Sequence, residues 1–141
     1  MKLLTLITFL ITLTFMLSAH QDSRKQDDKV EIIAIPVSEK NIDALISEHF
    51  SRSPFFCLYN TKTDSWTFIE NAQSEASQGG SRRVVQLLSK NGVQKIYLVK
   101  AGDNALSFLN SSKIRTEIVP AGKSVRQIVK LFTLSQLTSL P

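Results

Sequence analysis

The stretch from Gly79 to Phe132 constrains the fold more than any other part of this chain, because its apolar residues alternate between two periods. Val84, Val85, Leu87 and Leu88 form one stripe at helical spacing, and Gly92 supplies a stop. VQKIYLVK then reads as a strand over about residues 95–100, closed by Gly102. Asp103 is placed to cap a helix that buries Ala105, Leu106 and Leu109. Ile114–Val119 is a further strand, punctuated by Pro120 and Gly122. Ser124 with Gln127 forms a capping-box pattern ahead of Val125, Ile128, Val129 and Phe132, which again follow helical spacing. Strands that alternate with helices pair in parallel, through right-handed crossovers.

The first half adds antiparallel pairing. VEIIAIPV, residues 30–37, is a short β-branched run that reads as a buried strand. FFCLYNT (55–61) and SWTFIEN (65–71) flank the turn TKTD and make a hairpin. Residues 38–53, SEKNIDALISEHFSRS, lack a clear period and read as a long loop with at most a helical turn. Loops of that length in compact domains often carry function. The predicted fold class is α/β: a mixed five-stranded sheet with flanking helices, in one sandwich.

With 141 residues, 43% of them hydrophobic and 21% charged, the chain can bury a core of its own. MKLLTLITFLITLTFMLSA, residues 1–19, has a basic start, an apolar middle and small residues at its end. That pattern predicts a signal peptide, hence an exported, periplasmic or secreted protein. Leu17 stands where a small residue would suit cleavage after Ala19, so an uncleaved N-terminal anchor is the alternative. Residues 20–29 form a polar linker, 30–133 the folded domain, and 134–141 a frayed tail.

The net charge of +5 is spread along the chain without the basic–aromatic interleaving of nucleic-acid binders. Cys57 is alone, so no intrachain disulfide forms, and a Cys-only metal site within one chain is excluded. There is no GxSxG elbow. A Cys57–His49 pair would need a reactive thiol, yet Cys57 lies inside an apolar strand, the usual setting of a small core residue. Asp43, Glu48, Asp64 and Glu70 are too scattered for a two-metal nuclease. GGSRR opens a helix whose N–H groups can receive an anion, but it lacks the spacing and lysine of a nucleotide loop.

His49 is the one histidine of the predicted domain. It is either a packed structural residue or a ligand displayed by the long loop. Imidazole can ligate iron while its second nitrogen is oriented by a hydrogen bond. Glu48 either supplies that bond or stays in solvent, and Arg52, three residues on, can complement an anionic cluster.

Four segments carry a resemblance to a known family. They are IIAIPV, ISEHFSRSPFFCLYNT, GGSRRVVQLLSKNGVQKIYLVKAGDNAL and IRTEIVPAGKSVRQIVKLF, in that order. Together they resemble the dinitrogenase iron–molybdenum cofactor biosynthesis family over about residues 30–132. The resemblance implies a ribonuclease-H-like fold used for binding rather than catalysis. It implies a carrier of iron–sulfur or iron–molybdenum type clusters, with a donor or acceptor protein as partner. It maps His49 onto the family histidine as metal ligand and Arg52 onto the arginine of the same segment; Glu48 beside His49 and Asn104 at the start of the following helix are further candidate cofactor-binding positions. The charge pattern gives no nucleic-acid partner, and a membrane is expected only if the N-terminal segment is uncleaved. Ser51 stands where the family has glycine, and this would restrict the backbone if the position needs positive φ. The alternative reading is an exported interaction or sensory domain that kept the fold and lost the cluster.

Overall fold

A computed structural model of the chain describes residues 31–138. The predicted signal segment and polar linker, and the last three residues, lie outside that range. The elements run in the order β1 (Ile32–Val37), β2 (Phe55–Asn60), β3 (Ser65–Glu70), α1 (Gly80–Lys90), β4 (Val93–Leu98), α2 (Asp103–Ser111), β5 (Arg115–Ile118) and α3 (Val125–Thr138). They build one sheet of order β3-β2-β1-β4-β5. β1–β2 and β2–β3 are antiparallel, whereas β1–β4 and β4–β5 are parallel. This is the mixed five-stranded α/β sheet expected, and its strand order is compatible with a ribonuclease-H-like sandwich.

The period-two pattern of the strands divides the core into two layers. Ala34, Phe56, Leu58, Ile96 and Leu98 face α1 and α2, where Val84, Val85, Leu88, Ala105 and Leu109 meet them. Ile33, Ile35, Val37, Cys57 and Tyr97 face the other way, against Val125, Ile128, Val129 and Phe132 of α3. The near-continuous apolar run of β1 thus reflects burial on both faces of a central strand.

Local chemistry sets the element ends. Gly92 has φ 73° and ends α1 as a left-handed residue, which L side chains adopt only under strain. The turn is so short that β4 begins at Val93, earlier than the sequence pattern suggests. The capping box of α3 is formed: Ser124 N donates to Gln127 Oε1 at 2.9 Å, and Gln127 N donates to Ser124 Oγ at 3.3 Å. Asp103 does not cap α2. Gly102 takes the cap position without a side-chain bond, and Asp103 sits in the first turn, where its charge complements the helix dipole.

α3 also runs through Thr138, into the stretch expected to be a tail. The hydroxyls of Thr133 and Ser135 donate to Val129 O and Phe132 O, so they follow the helix rather than compete with it. Leu131, Leu134 and Leu137 lie on the outer side of these last turns, each at least half exposed.

Candidate functional site

The site is built at the end of the sheet where β1 and β4 finish. Residues 38–54 cross that end without a helical turn. Isolated bridges pair Val37 with Ile46, Leu45 with Ser124 and His49 with Lys100. Ile46 N donates to Lys123 O, and the first N–H groups of α3, those of Val125 and Arg126, donate to Ala44 O and Ile42 O. The loop is therefore sewn to the start of α3.

Two exposed ion pairs reinforce it, Lys40–Glu70 at 2.9 Å and Asp43–Arg126 at 2.7 Å. The hydrogen bond from each cation holds its carboxyl below the usual carboxylate range. A depressed folded pKa stabilises above the unfolded value and loses that contribution as pH falls through the folded one. Amide exchange at residues 40–46 should therefore accelerate as pH drops below the ordinary carboxylate range, after correction for the intrinsic rate. Asp43→Asn should already show the faster exchange at neutral pH. An acid-insensitive loop would show that these pairs do not hold it.

The second half of the loop is held by buried polar groups that the sequence pattern did not reveal. Ser53 is fully buried and donates its hydroxyl to Val37 O at 2.9 Å. Asn71, 3% exposed, donates through Nδ2 to Ser51 O at 2.9 Å and Ser53 O at 2.7 Å. Its Oδ1 accepts from Gln73 N, and its own N–H donates to Pro54 O. One side chain thus ties the 51–54 turn to the loop that feeds α1. Phe50 completes the anchor: it is buried edge-on against Phe56, ring centroids 6.0 Å apart.

Between these anchors the exposed His49 and Arg52 line a concavity of about 320 Å³, with Ser81, Lys100 and Gly102 opposite. A contiguous concavity of about 210 Å³ shares Ser51, Arg52 and Ser81 and adds Arg82 and Asn104. Glu48 faces Lys100 at 3.6 Å rather than lining the concavity. The starts of α1 and α2 both open here. Neither has a side-chain cap, and the first turn of α1 holds no acidic residue. The N–H groups that open both helices and the positive end of the α1 dipole therefore face the same space as Arg52, Arg82 and Lys100, while Asp103 meets the α2 dipole in its own first turn and Glu48 lies beside Lys100.

His49 and Arg52 thus share one wall, and Asn104 borders the neighbouring concavity. Lys100 is no part of the site expected from the sequence. It arrives from the end of β4 and is met by His49 across the sheet, which no local spacing encodes. Cys57 is fully buried in the opposite core layer, where burial pushes its thiol up to about 12, so it cannot serve this site. Ser51 is compatible with its position: among the described residues the non-glycine positions with positive φ are Asp64 and Lys113. Among the described residues, no three His, Cys, Asp or Glu side chains gather to hold a metal ion.

A mixed sheet with a cleft lined by His49, Arg52 and Lys100 at the ends of its parallel strands, and no group of three metal-ligating side chains among the described residues, defines a small α/β domain with its candidate site at the strand ends. The chain belongs to the dinitrogenase iron–molybdenum cofactor family, whose sequence model matches residues 31–135. Its fold is similar to the apo form of the orange protein from Desulfovibrio gigas, at 25% identity and TM-score 0.72, covering 75% of this chain and 89% of that one. It is also similar to a NifB-like protein of the DUF35 family from Thermotoga, at 25% identity and TM-score 0.66, covering 79% and 97%. No curated protein matches the chain.

Proposed function

We propose that this protein is a non-catalytic carrier for an anionic metal–sulfur cluster of the iron–sulfur or iron–molybdenum type. The observation that supports it best is the joint opening of two uncapped helix starts onto a cleft lined by His49, Arg52 and Lys100. His49 offers one ring nitrogen to a metal atom. Arg52 and the open N–H groups hold the cluster's negative charge, and Asn104 adds a polar rim. One metal ligand and several charge contacts suit a cargo that keeps its own sulfides and must be passed on to an acceptor protein. The family assignment and the NifB-like relative support the same cargo class. The N-terminal apolar segment supports action outside the cytoplasm, either exported or anchored.

The second reading is an interaction or sensory domain without cargo. It is favoured by the absence of any group of three metal-ligating side chains among the described residues. Anaerobic reconstitution with iron, sulfide and thiomolybdate separates the two. The wild type should retain metal through gel filtration with a visible charge-transfer spectrum. His49→Ala should change that spectrum, and Arg52→Ala should lower retention. A colourless wild type would establish the second reading. Identical wild-type and His49→Ala spectra would remove His49 as a ligand.

A further inference from the structure

We infer that the end of the domain opposite the cleft docks on an anionic lipid surface, with the last two turns of α3 lying in the headgroup layer. α3 begins against residues 42–46, which pair with the finishing end of β1. It then runs back along the sheet. Phe132 lies 5.4 Å from the Lys95 ammonium, and Lys95 is in register with Ile33 near the start of β1. The residues after Phe132 therefore sit at the strand-start end. Leu134 and Leu137 there are 50% and 62% exposed, and Leu131 precedes them on the same outer side. Among the described residues, these three solvent-facing leucines on one helix end form an apolar face that nothing covers.

Two further features identify the occupant as lipid. The first is charge. The same end carries exposed Lys62 in the hairpin turn, Lys90 at the end of α1 and Lys113 ahead of β5. Its described acids are fewer: Glu31 pairs with Arg115, and Asp64, which accepts from Tyr59 Oη, keeps its charge and offsets one lysine, leaving the end net positive. Apolar side chains beside uncompensated lysines are the chemistry of an interfacial helix on anionic headgroups. The second is the chain outside the structure. The described chain starts at Glu31, at this end, and the eleven residues before it, ten polar ones and Val30, lead back to the apolar run Leu3–Ala19. A membrane holding that run holds the leucines within a short tether of its surface.

The test uses the full chain with a solvent-sensitive fluorophore on an introduced cysteine. Cys57 is buried and unreactive, so the label reports the new position. With vesicles containing phosphatidylglycerol, the label at Leu134→Cys should shift to the blue and be quenched by a lipid-borne quencher. A label at Ser77→Cys, at the cleft end, should stay in water. Vesicles of phosphatidylcholine alone should give a weaker shift at position 134, and Lys62→Glu with Lys113→Glu should abolish the difference. A position-134 label that stays aqueous while the protein sediments with the vesicles would overturn the docking. So would shielding without lipid: if it depends on protein concentration the occupant is a second copy, and if not, it is the chain's own N-terminal segment.

Discussion

Asn71→Asp is expected to destabilise the fold by about 3–5 kcal/mol at neutral pH, the range for an uncompensated buried charge. The exchange is nearly isosteric, so the cost is electrostatic. Two amide donors to Ser51 O and Ser53 O become a carboxylate oxygen facing two carbonyl oxygens, in a place only 3% exposed. Burial and those oxygens raise the new carboxyl's folded pKa, so its penalty is full above that value. It fades as pH falls toward the ordinary aspartate value of about 3.9. Urea unfolding of both proteins across that window should show the midpoints converging in acid. Asn71→Ala should cost less, about 1–3 kcal/mol, since it leaves unmet polar groups without adding charge. A pH-independent difference between Asn71→Asp and the wild type would mean the clamp opens to water. Both variants should lose cluster retention beyond their loss of stability, because the 51–54 turn presents Arg52.

Phe50→Ala is expected to cost about 3–5 kcal/mol as well, through the cavity left beside Phe56. The ring is 3% exposed and its edge-to-face contact is lost with it. Phe50→Leu retains most of the volume and should cost under about 1.5 kcal/mol. The comparison bears on the site, since His49 is the preceding residue and depends on this plug for its position. Urea midpoints should rank wild type, Leu, Ala. At a temperature where all three are folded, the His49 ring resonances should broaden in the Ala variant alone. A cost below about 1 kcal/mol for Phe50→Ala would show that the loop, not the ring, holds the position.

What the sequence made legible follows from the range over which each feature is encoded. The alternation of stripe and strand from Gly79 to Phe132 is local, and it specified the parallel half of the sheet. The capping box needed two residues three apart. The absence of period over residues 38–53 correctly marked a loop, and the spacing of His49 and Arg52 put both on one wall of a cleft. The clamp was invisible for a definite reason. Asn71 binds backbone carbonyls of Ser51 and Ser53, and every residue carries such an acceptor. The only local sign was an amide residue closing the second hairpin strand. The length of α3 was misjudged because its serines and threonines bond back to their own helix.

The three helices among the described residues all begin at the same end of the sheet, but they are not equivalent there. The first donors of α3 are consumed by the carbonyls of Ile42 and Ala44, while the starts of α1 and α2 keep theirs. The fold therefore has a blind side and a receptive side. On the proposed function, a protein delivering or removing the cargo would approach over the α1–α2 layer, with its footprint across the 72–82 and 100–104 segments. Substitutions on the 39–46 segment should then leave that exchange untouched, and a donor and an acceptor would take turns on one face.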